Sequence, residues 1–293
     1  MAKVGIVGLG IMGLPMMKNV LAAGHEVVGY DRNESRIDEL VKAGGKAAAN
    51  VAEACKGVDF FITMVPDSPH VQDIVHSEGG LLDSAEEGLL WADMSTIRPD
   101  VSQQLAKDVA KKGIRALDAP VSGGEQGAID AVLSIMVGGE EKDFDAAKPF
   151  FDLMGKTVVY LGPSGSGQTV KAANQLIVGM NFQAIAEAIV FLEAFGVDTE
   201  AAIDVLGGGL AGSRCMELKG KSMLARKFEP GFRIDLHHKD FGIITQAARE
   251  AGVVIPGGSL IAQLMESARA NGDGGLDHSA LMRGVLRMSG KEV

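Results

Sequence analysis

The sequence predicts an α/β protein in two parts, a doubly wound, mostly parallel domain at the N-terminus followed by an all-α domain. Two observations carry this. Up to about residue 160, short apolar runs alternate with segments of helical periodicity, which is the sequence form of βαβ units. A Gly/Ser/Pro cluster, GPSGSG at 162–167, then interrupts the pattern, and beyond it the strand-like runs give way to helical spacing. The boundary falls there, giving domains 1–163 and 164–293, in keeping with a 293-residue chain at about 100 to 200 residues per domain.

Candidate strands cover 3–7, 26–30, 58–64, 89–93 and 114–118, and apolar residues at helical spacing over 16–23, 36–43 and 101–111 provide crossover helices between them. Two further strand-like runs, 133–137 and 157–161, flank a helical segment and extend the sheet at one edge. The second domain opens with a long interdomain helix over 168–195. Its Val170, Ile177, Phe182, Ile185, Ile189 and Leu192 fall on several faces, so protein is expected around most of it. Helices starting near Thr199, Ser213, Asp240, Gly258 and His278 complete that domain.

Composition narrows the function classes. A formal net charge of -10 argues against nucleic acid or an anionic membrane as partner, since either calls for a basic face. An anionic substrate must then be caught by local donors. The apolar stretch 172–195 contains Asn174, Asn181, Glu187 and Glu193, which a membrane span would bury at considerable cost, so a soluble protein is expected. The first residues, MAKVGIVG, enter a strand without a signal-peptide pattern, and Cys55 and Cys215 form neither a metal pair nor a disulfide framework; a reducing cytoplasm fits. The six histidines show no ligand spacing, and no metal site is expected.

Three stretches carry chemistry. In VGIVGLGIMG at 4–13, Gly8, Gly10 and Gly13 form G-x-G-x-x-G directly after a strand and at the opening of a helix. Gly8 permits a tight turn, Gly10 a close main-chain approach by a pyrophosphate, and Gly13 close packing of helix on strand. Leu9, Ile11 and Met12 complete this cofactor-binding loop. Asp31 ends the second strand at about the 20-residue spacing of a ribose-binding acid, so the domain is Rossmann-type and NAD(H) is preferred, because a carboxylate there repels a 2'-phosphate. Arg32 keeps NADP(H) open, since its guanidinium could stack on adenine, pair with a 2'-phosphate or simply be solvated.

The second stretch is LDAPVSGG at 117–124, at a strand end, where the Ser122 hydroxyl and the main chain of Gly123 and Gly124 could converge on a carboxylate or form no more than a flexible turn. The third is GSGQTVKAANQ at 165–175. Lys171, Asn174 and Gln175 share one face of an otherwise apolar helix. A lysine kept there has a task or a partner unless it snorkels to solvent.

Taken in order, G-x-G-x-M-G, D-A-P-V-S-G-G and G-x-x-x-K-x-x-N resemble the β-hydroxyacid dehydrogenase family. ITMVPDSPHV at 62–71, GGGLAGS at 207–213, PGFRIDLHHKDF at 230–241 and DHSAL at 277–281 extend the similarity over the whole chain. The resemblance implies Lys171 as the catalytic lysine, with Asn174 beside it in the substrate pocket, and Ser122, Gly123 and Gly124 as the carboxylate loop. It places Ser95 and Thr96 against nicotinamide and substrate, Val65 and Pro66 along the cofactor, and Lys239 over it. Phe232 and Asp240 would shape the pocket. Bland alternatives are Phe232 as core, Thr96 as a helix cap, Val65 and Pro66 as a strand end, and Lys239 with Asp240 as a solvated pair.

The implied reaction is NAD(P)H-dependent reduction of a small acidic aldehyde to a hydroxyacid, tartronate semialdehyde to D-glycerate before the others. Methylmalonate and succinic semialdehydes and glyoxylate are sister substrates. A phosphorylated sugar acid would call for a further basic cluster, which the sequence lacks. The reading from a different class is a nonenzymatic module that binds a dinucleotide and a protein partner. The resemblance also implies a homodimer or homotetramer assembled through the C-terminal domain.

Overall fold

The structure, a computed structural model, describes residues 1–293. Its sheet contains β1 (Lys3–Val7), β2 (Glu26–Tyr30), β3 (Lys46–Ala47), β4 (Phe60–Thr63), β5 (Leu90–Asp93), β6 (Arg115–Asp118), β7 (Val121–Ser122), β8 (Leu133–Gly139) and β9 (Gly155–Tyr160). Six strands lie side by side in the order β3-β2-β1-β4-β5-β6, all parallel, which is the doubly wound arrangement. β8 then runs antiparallel to β6 and β7, and β9 pairs parallel with β8, extending the sheet at that edge.

Helices α1 (Gly13–Ala22), α2 (Glu34–Lys42), α3 (Val51–Cys55), α4 (Ser68–His76), α5 (Leu81–Ser84), α6 (Pro99–Ala110), α7 (Gly124–Ile129) and α8 (Glu141–Phe151) connect the strands. The FFIT of β4 and the LWAD of β5 are buried along their whole length, as central parallel strands covered on both faces must be. Strand alternation divides the core in two. Phe60 joins the layer containing Ile6, Met17 and Phe151 and stacks on Phe150 at 4.8 Å, whereas its neighbour Phe61 joins Trp91, Leu105 and Val109 in the other layer. β3 and β7 have no counterpart among the expected strands, because two-residue strands are too short to show a period.

The chain divides into compact units of residues 1–171 and 172–293. The division lies inside α9 (Ser166–Ala194) rather than at the 163/164 boundary expected from the glycine cluster. The reason is packing. A Cβ on Gly167 would lie 2.2 Å from the Met136 carbonyl, and one on Gly138 would lie 2.9 Å from the Gly167 nitrogen, so these glycines let the first turn of α9 seat on β8.

The second unit is all-α, with α10 (Thr199–Gly207), α11 (Arg214–Leu224), α12 (Ile234–Glu250), α13 (Pro256–Ala270), a 3₁₀ turn (His278–Ala280) and α14 (Leu281–Met288) following α9. α12 begins six residues ahead of the expected Asp240 start, at Ile234. Phe182, Ile185 and Ile189 of α9 pack with Phe241, Ile244, Met265 and Leu281 in this unit's core. Protein surrounds most of α9, as its apolar residues predict, but one stripe is left open. Its Ile177, Met180 and Phe191 are 60%, 45% and 63% exposed and mark this stripe, which the chain leaves uncovered. By length and composition α9 could cross a membrane, but a core helix of a soluble protein passes the same test.

Candidate active site

The glycine loop follows β1 directly. Gly8 adopts φ +103°, donates its N–H to the Tyr30 carbonyl at 2.9 Å, and a Cβ there would lie 2.2 Å from the Met64 carbonyl. A Cβ on Gly13 would lie 2.0 Å from the Gly8 carbonyl, so α1 could not start this close to β1 with any other residue. Gly10 differs from both. A Cβ there would meet no protein atom within 4 Å, so internal packing does not demand this glycine, whereas a group that must reach the main chain does. No side chain caps the start of α1, which leaves its N–H groups to an anion. These features fit a dinucleotide pyrophosphate.

Leu9 is fully buried and reaches the loop only through its main chain, whereas Ile11 is exposed and Met12 half-buried. The Leu9 N–H donates to Asp31 Oδ2 at 2.6 Å, and the Asn33 N–H donates to Oδ1 at 2.8 Å. Each oxygen keeps a further lone pair, enough to accept ribose hydroxyls. Arg32 is exposed beside it.

A second cluster lies at the carboxyl ends of β4, β5 and β6. The Val65 N–H donates to Ser95 Oγ at 3.0 Å, and the Gln168 side chain takes the Ile97 N–H at 3.0 Å and gives to the Ser95 carbonyl at 2.8 Å. The loop carrying Ser95 and half-buried Thr96 is thereby tied to the Val65 loop and to the first turn of α9, with Pro66 exposed beside them. Asp93 accepts from Thr63 Oγ1 at 2.8 Å and from the Ser95 N–H, and its other oxygen, Oδ2, is buried without a partner. Burial pushes its carboxyl up to about 7, against the hydrogen bonds from Ser95 and Thr63. Asp118 accepts from the Gly165 and Gln168 N–H groups at 2.7 and 2.9 Å, which satisfies the start of α9. Burial raises its carboxyl too, with those main-chain bonds opposing.

Ser122 sits on β7, just beyond β6, paired with Ser134. Gly123 and Gly124 follow at φ +142° and +66°, and a Cβ on Gly124 would meet nothing within 4 Å. The turn is open to a ligand at its main chain.

On α9, Lys171 is 6% exposed and Gln175 4%, so the polar face read from the sequence is buried. Asn174 Nδ2 donates to Gln175 Oε1 at 2.8 Å, and Gln175 Nε2 donates to Asp240 Oδ2 at 2.5 Å. Lys239 Nζ lies 2.9 Å from Asp240 Oδ1, aimed poorly for a hydrogen bond. Their side chains are 19% and 3% exposed, so this is no solvated pair. Phe232 is half-buried, edge-on to His237 and His278.

The glycine loop, the strand-end cluster and Ser122–Gly124 thus belong to the first unit, and Phe232, Lys239 and Asp240 to the second. α9 carries residues of both. Sequence reasoning missed Asp93, Asp118 and Gln168 as supports, and the contact of His237 with the Gln175 carbonyl. Asp118 and Gln168 stood in plain view within LDAPVSGG and GSGQTVKAANQ, but nothing in a local pattern shows that they meet.

Residues 3–162 match the family model described as the NAD binding domain of 6-phosphogluconate dehydrogenase. Residues 165–285 match that described as the NAD-binding of NADP-dependent 3-hydroxyisobutyrate dehydrogenase. The chain is 39% identical over 291 residues to 2-hydroxy-3-oxopropionate reductase of Escherichia coli (strain K12), covering 99% of each chain. It is 35% identical to 2-(hydroxymethyl)glutarate dehydrogenase of Eubacterium barkeri, covering 99% of this chain and 97% of that one. Mycobacterium tuberculosis 3-hydroxyisobutyrate dehydrogenase, solved with L-serine, superposes with a TM-score of 0.90 at 30% identity, covering 97% of this chain and 99% of that one. With two NAD(P)-binding family matches that together run from residue 3 to 285, the chain belongs to the β-hydroxyacid dehydrogenase family of NAD(P)-dependent oxidoreductases.

Proposed function

We propose that the chain reduces tartronate semialdehyde (2-hydroxy-3-oxopropionate) to D-glycerate, with NADH preferred over NADPH and Lys171 as the general acid. The observation that carries this is Lys171 itself, an ammonium 6% exposed and one helical turn from Asn174 and Gln175. A lysine amine held in place is one of the side chains that serve as a general acid. NAD(P)H, when bound, supplies the hydride. Gly8–Gly13 would hold the pyrophosphate, with Asp31 on the ribose and Arg32 beside it. Val65, Pro66, Ser95, Thr96 and Lys239 would flank the nicotinamide half.

Ser122 and the main chain of Gly123 and Gly124 hold the substrate carboxylate, so that the aldehyde carbon is presented in one orientation. Lys171 hydrogen-bonds the aldehyde oxygen and passes its proton there as the alkoxide forms; in the reverse direction the neutral amine takes the proton back. Asn174 orients the ammonium or the substrate hydroxyl, and Thr96, Phe232 and Asp240 shape the pocket. The chain would work in the cytoplasm as a homo-oligomer through its second unit, whose α9 presents Ile177, Met180 and Phe191 to a second copy.

A second reading, oxidation of another β-hydroxyacid, draws on the L-serine in the related Mycobacterium tuberculosis structure. One assay separates the two. NADH oxidation is followed with tartronate, methylmalonate and succinic semialdehydes and glyoxylate, and NAD⁺ reduction with L-serine and 3-hydroxyisobutyrate. The proposal expects the highest kcat/KM for tartronate semialdehyde. A tenfold lead by any other compound would replace it, and no turnover with any would favour a binding module.

A further inference from the structure

Two histidines in the second unit have no part in the reaction above. His237 on α12 is fully buried, its ring among those of Phe232 and Phe241. Its Nε2 lies 3.0 Å from the main-chain carbonyl of Gln175 on α9, and its Nδ1 lies 3.0 Å from Nδ1 of His278. A carbonyl only accepts, so Nε2 carries the proton. Of the two facing Nδ1 atoms, one donates and the other accepts. Beside His278, Asp277 accepts from Lys219 Nζ at 2.9 Å and from the Gly231 N–H at 2.8 Å, which anchors that turn to α11 and to the 231 loop.

Gln175 is consequently gripped twice from α12. His237 holds its carbonyl, and Asp240, one turn further along α12, holds its side-chain amide. Gly179, one turn on from Gln175, permits the close approach, since a Cβ there would come within 2.6 Å of the Phe241 ring. Apolar surroundings alone would be satisfied by phenylalanine at 237. What histidine adds is two directed bonds in a place where an unpaired polar group would be costly.

We propose that His237 is a positioning residue for the reaction. By fixing the Gln175 carbonyl it sets the rotation of the α9 turn that carries Lys171 and Asn174, so that ammonium and amide meet the substrate in one geometry. This rests on Lys171 as proton donor. A misplacement of about 1 Å is enough to cost on the order of 10²-fold in rate.

The test compares His237→Phe, which keeps the volume and loses both bonds, with His237→Gln, whose amide reaches the Gln175 carbonyl. Each is made in the full chain, alongside Lys171→Ala and the double variant His237→Phe/Lys171→Ala. At saturating NADH, His237→Phe is expected to lower kcat by about 10- to 100-fold, with NADH Kd within about twofold of the parent. His237→Gln recovers most of the loss, and His237→Phe adds little once Lys171 is gone, because the two act as a unit. Unchanged kcat in folded His237→Phe, or a full extra loss in the Lys171→Ala background, would leave His237 a core residue and nothing more. If Lys171→Ala itself keeps parent turnover, the proton-donor reading falls and takes this one with it. Should His237→Phe fail to fold, His237→Gln must keep near-parent kcat, and ring ¹⁵N NMR of the parent must show His237 as the Nε2–H tautomer. An Nδ1–H tautomer would overturn the assignment.

Discussion

The dinucleotide loop and the α9/α12 crossing do their work by opposite means. In the first, the proposed cofactor contact depends on side chains that are missing: Gly8 and Gly13 have carbonyls 2.2 and 2.0 Å from where a Cβ would stand, and Gly10 offers bare main chain. In the second, the proposed chemistry depends on polar side chains that are present where apolar ones would pack more cheaply, with Lys171, Gln175, His237 and Asp240 all under 7% exposed. Damage should differ accordingly. Substitutions in the loop disturb backbone and fold together, whereas substitutions at the crossing can spare the fold and remove the chemistry.

Lys171→Ala is the sharpest trial of that contrast. The fold should persist, and NADH affinity should persist because the proposed dinucleotide site runs from Gly8 to Asp31. Turnover should fall by roughly 10² to 10⁴, about 3 to 5 kcal/mol of barrier. Lys171→Arg should not restore it, because a guanidinium does not readily release a proton near neutral pH. Turnover, NADH titration and circular dichroism of both variants decide the matter. A folded, NADH-saturated Lys171→Ala protein with near-parent turnover would leave the proton donor to be sought elsewhere, with Lys239 the next candidate.

Asp93 tests whether the first unit, too, tolerates a costly buried polar group. Its folded carboxyl titrates at about 7 against 3.8 for an unperturbed one, so between those values the native state holds a proton that the unfolded chain has lost. Stability therefore falls as pH rises through that window and levels off above it, by up to about 4 kcal/mol. Asp93→Asn keeps an acceptor for Thr63 and Ser95 and cannot ionise. Urea unfolding of variant and parent at pH 5 and pH 8 should show the variant gaining on the parent at the higher pH. A gap that stays constant with pH would mean that Asp93 is not protonated in the folded protein.

The two regions also differed in how far they could be read beforehand. β1 and β2 lie where the apolar runs placed them, and the glycine spacing announced the loop, because a strand, a tight turn and a helix start are all local events. The polar face of α9 was visible for the same reason, Lys171, Asn174 and Gln175 being three and four residues apart. Partners across space were not. Nothing in LHHKDF says that His237 faces the Gln175 carbonyl, and GPSGSG reads as a domain boundary without showing that its Gly167 is wedged against Met136. The exposed stripe of α9 was not legible because an apolar residue looks the same in sequence whether its own chain covers it or not.

Ser122→Ala should have a smaller effect than either change above. Removing one hydrogen bond to a carboxylate costs about 1 to 3 kcal/mol in transition-state binding. The loss should appear in kcat/KM for acidic aldehydes with NADH binding unmoved, since Ser122 pairs with Ser134 on β8 and has no assigned part in the proposed dinucleotide site. A variant that spares the acid substrate and weakens NADH would assign the turn to the cofactor instead.

The smallest expected effect is on cofactor choice, and it bears on whether the dinucleotide loop is as purely main-chain as its glycines make it look. Asp31 is the charged side chain tied to the loop, its carboxylate taking the Leu9 and Asn33 N–H groups, and in the proposed site it would face the ribose. NADH should be preferred because a 2'-phosphate would meet this charge. Asp31→Asn removes the repulsion while Arg32 stays to pair with phosphate, and the NADPH/NADH ratio of kcat/KM should rise by roughly tenfold, about 1.4 kcal/mol. The amide carries a second consequence. One of its two ends is an NH₂ group that must face either the Leu9 or the Asn33 N–H, so one of those bonds is lost and NADH itself should bind more weakly. Titrating both cofactors separates the two effects, since repulsion acts on NADPH alone whereas loop damage acts on both. A parent that uses both cofactors equally would show that Asp31 serves the loop's architecture and not its selectivity.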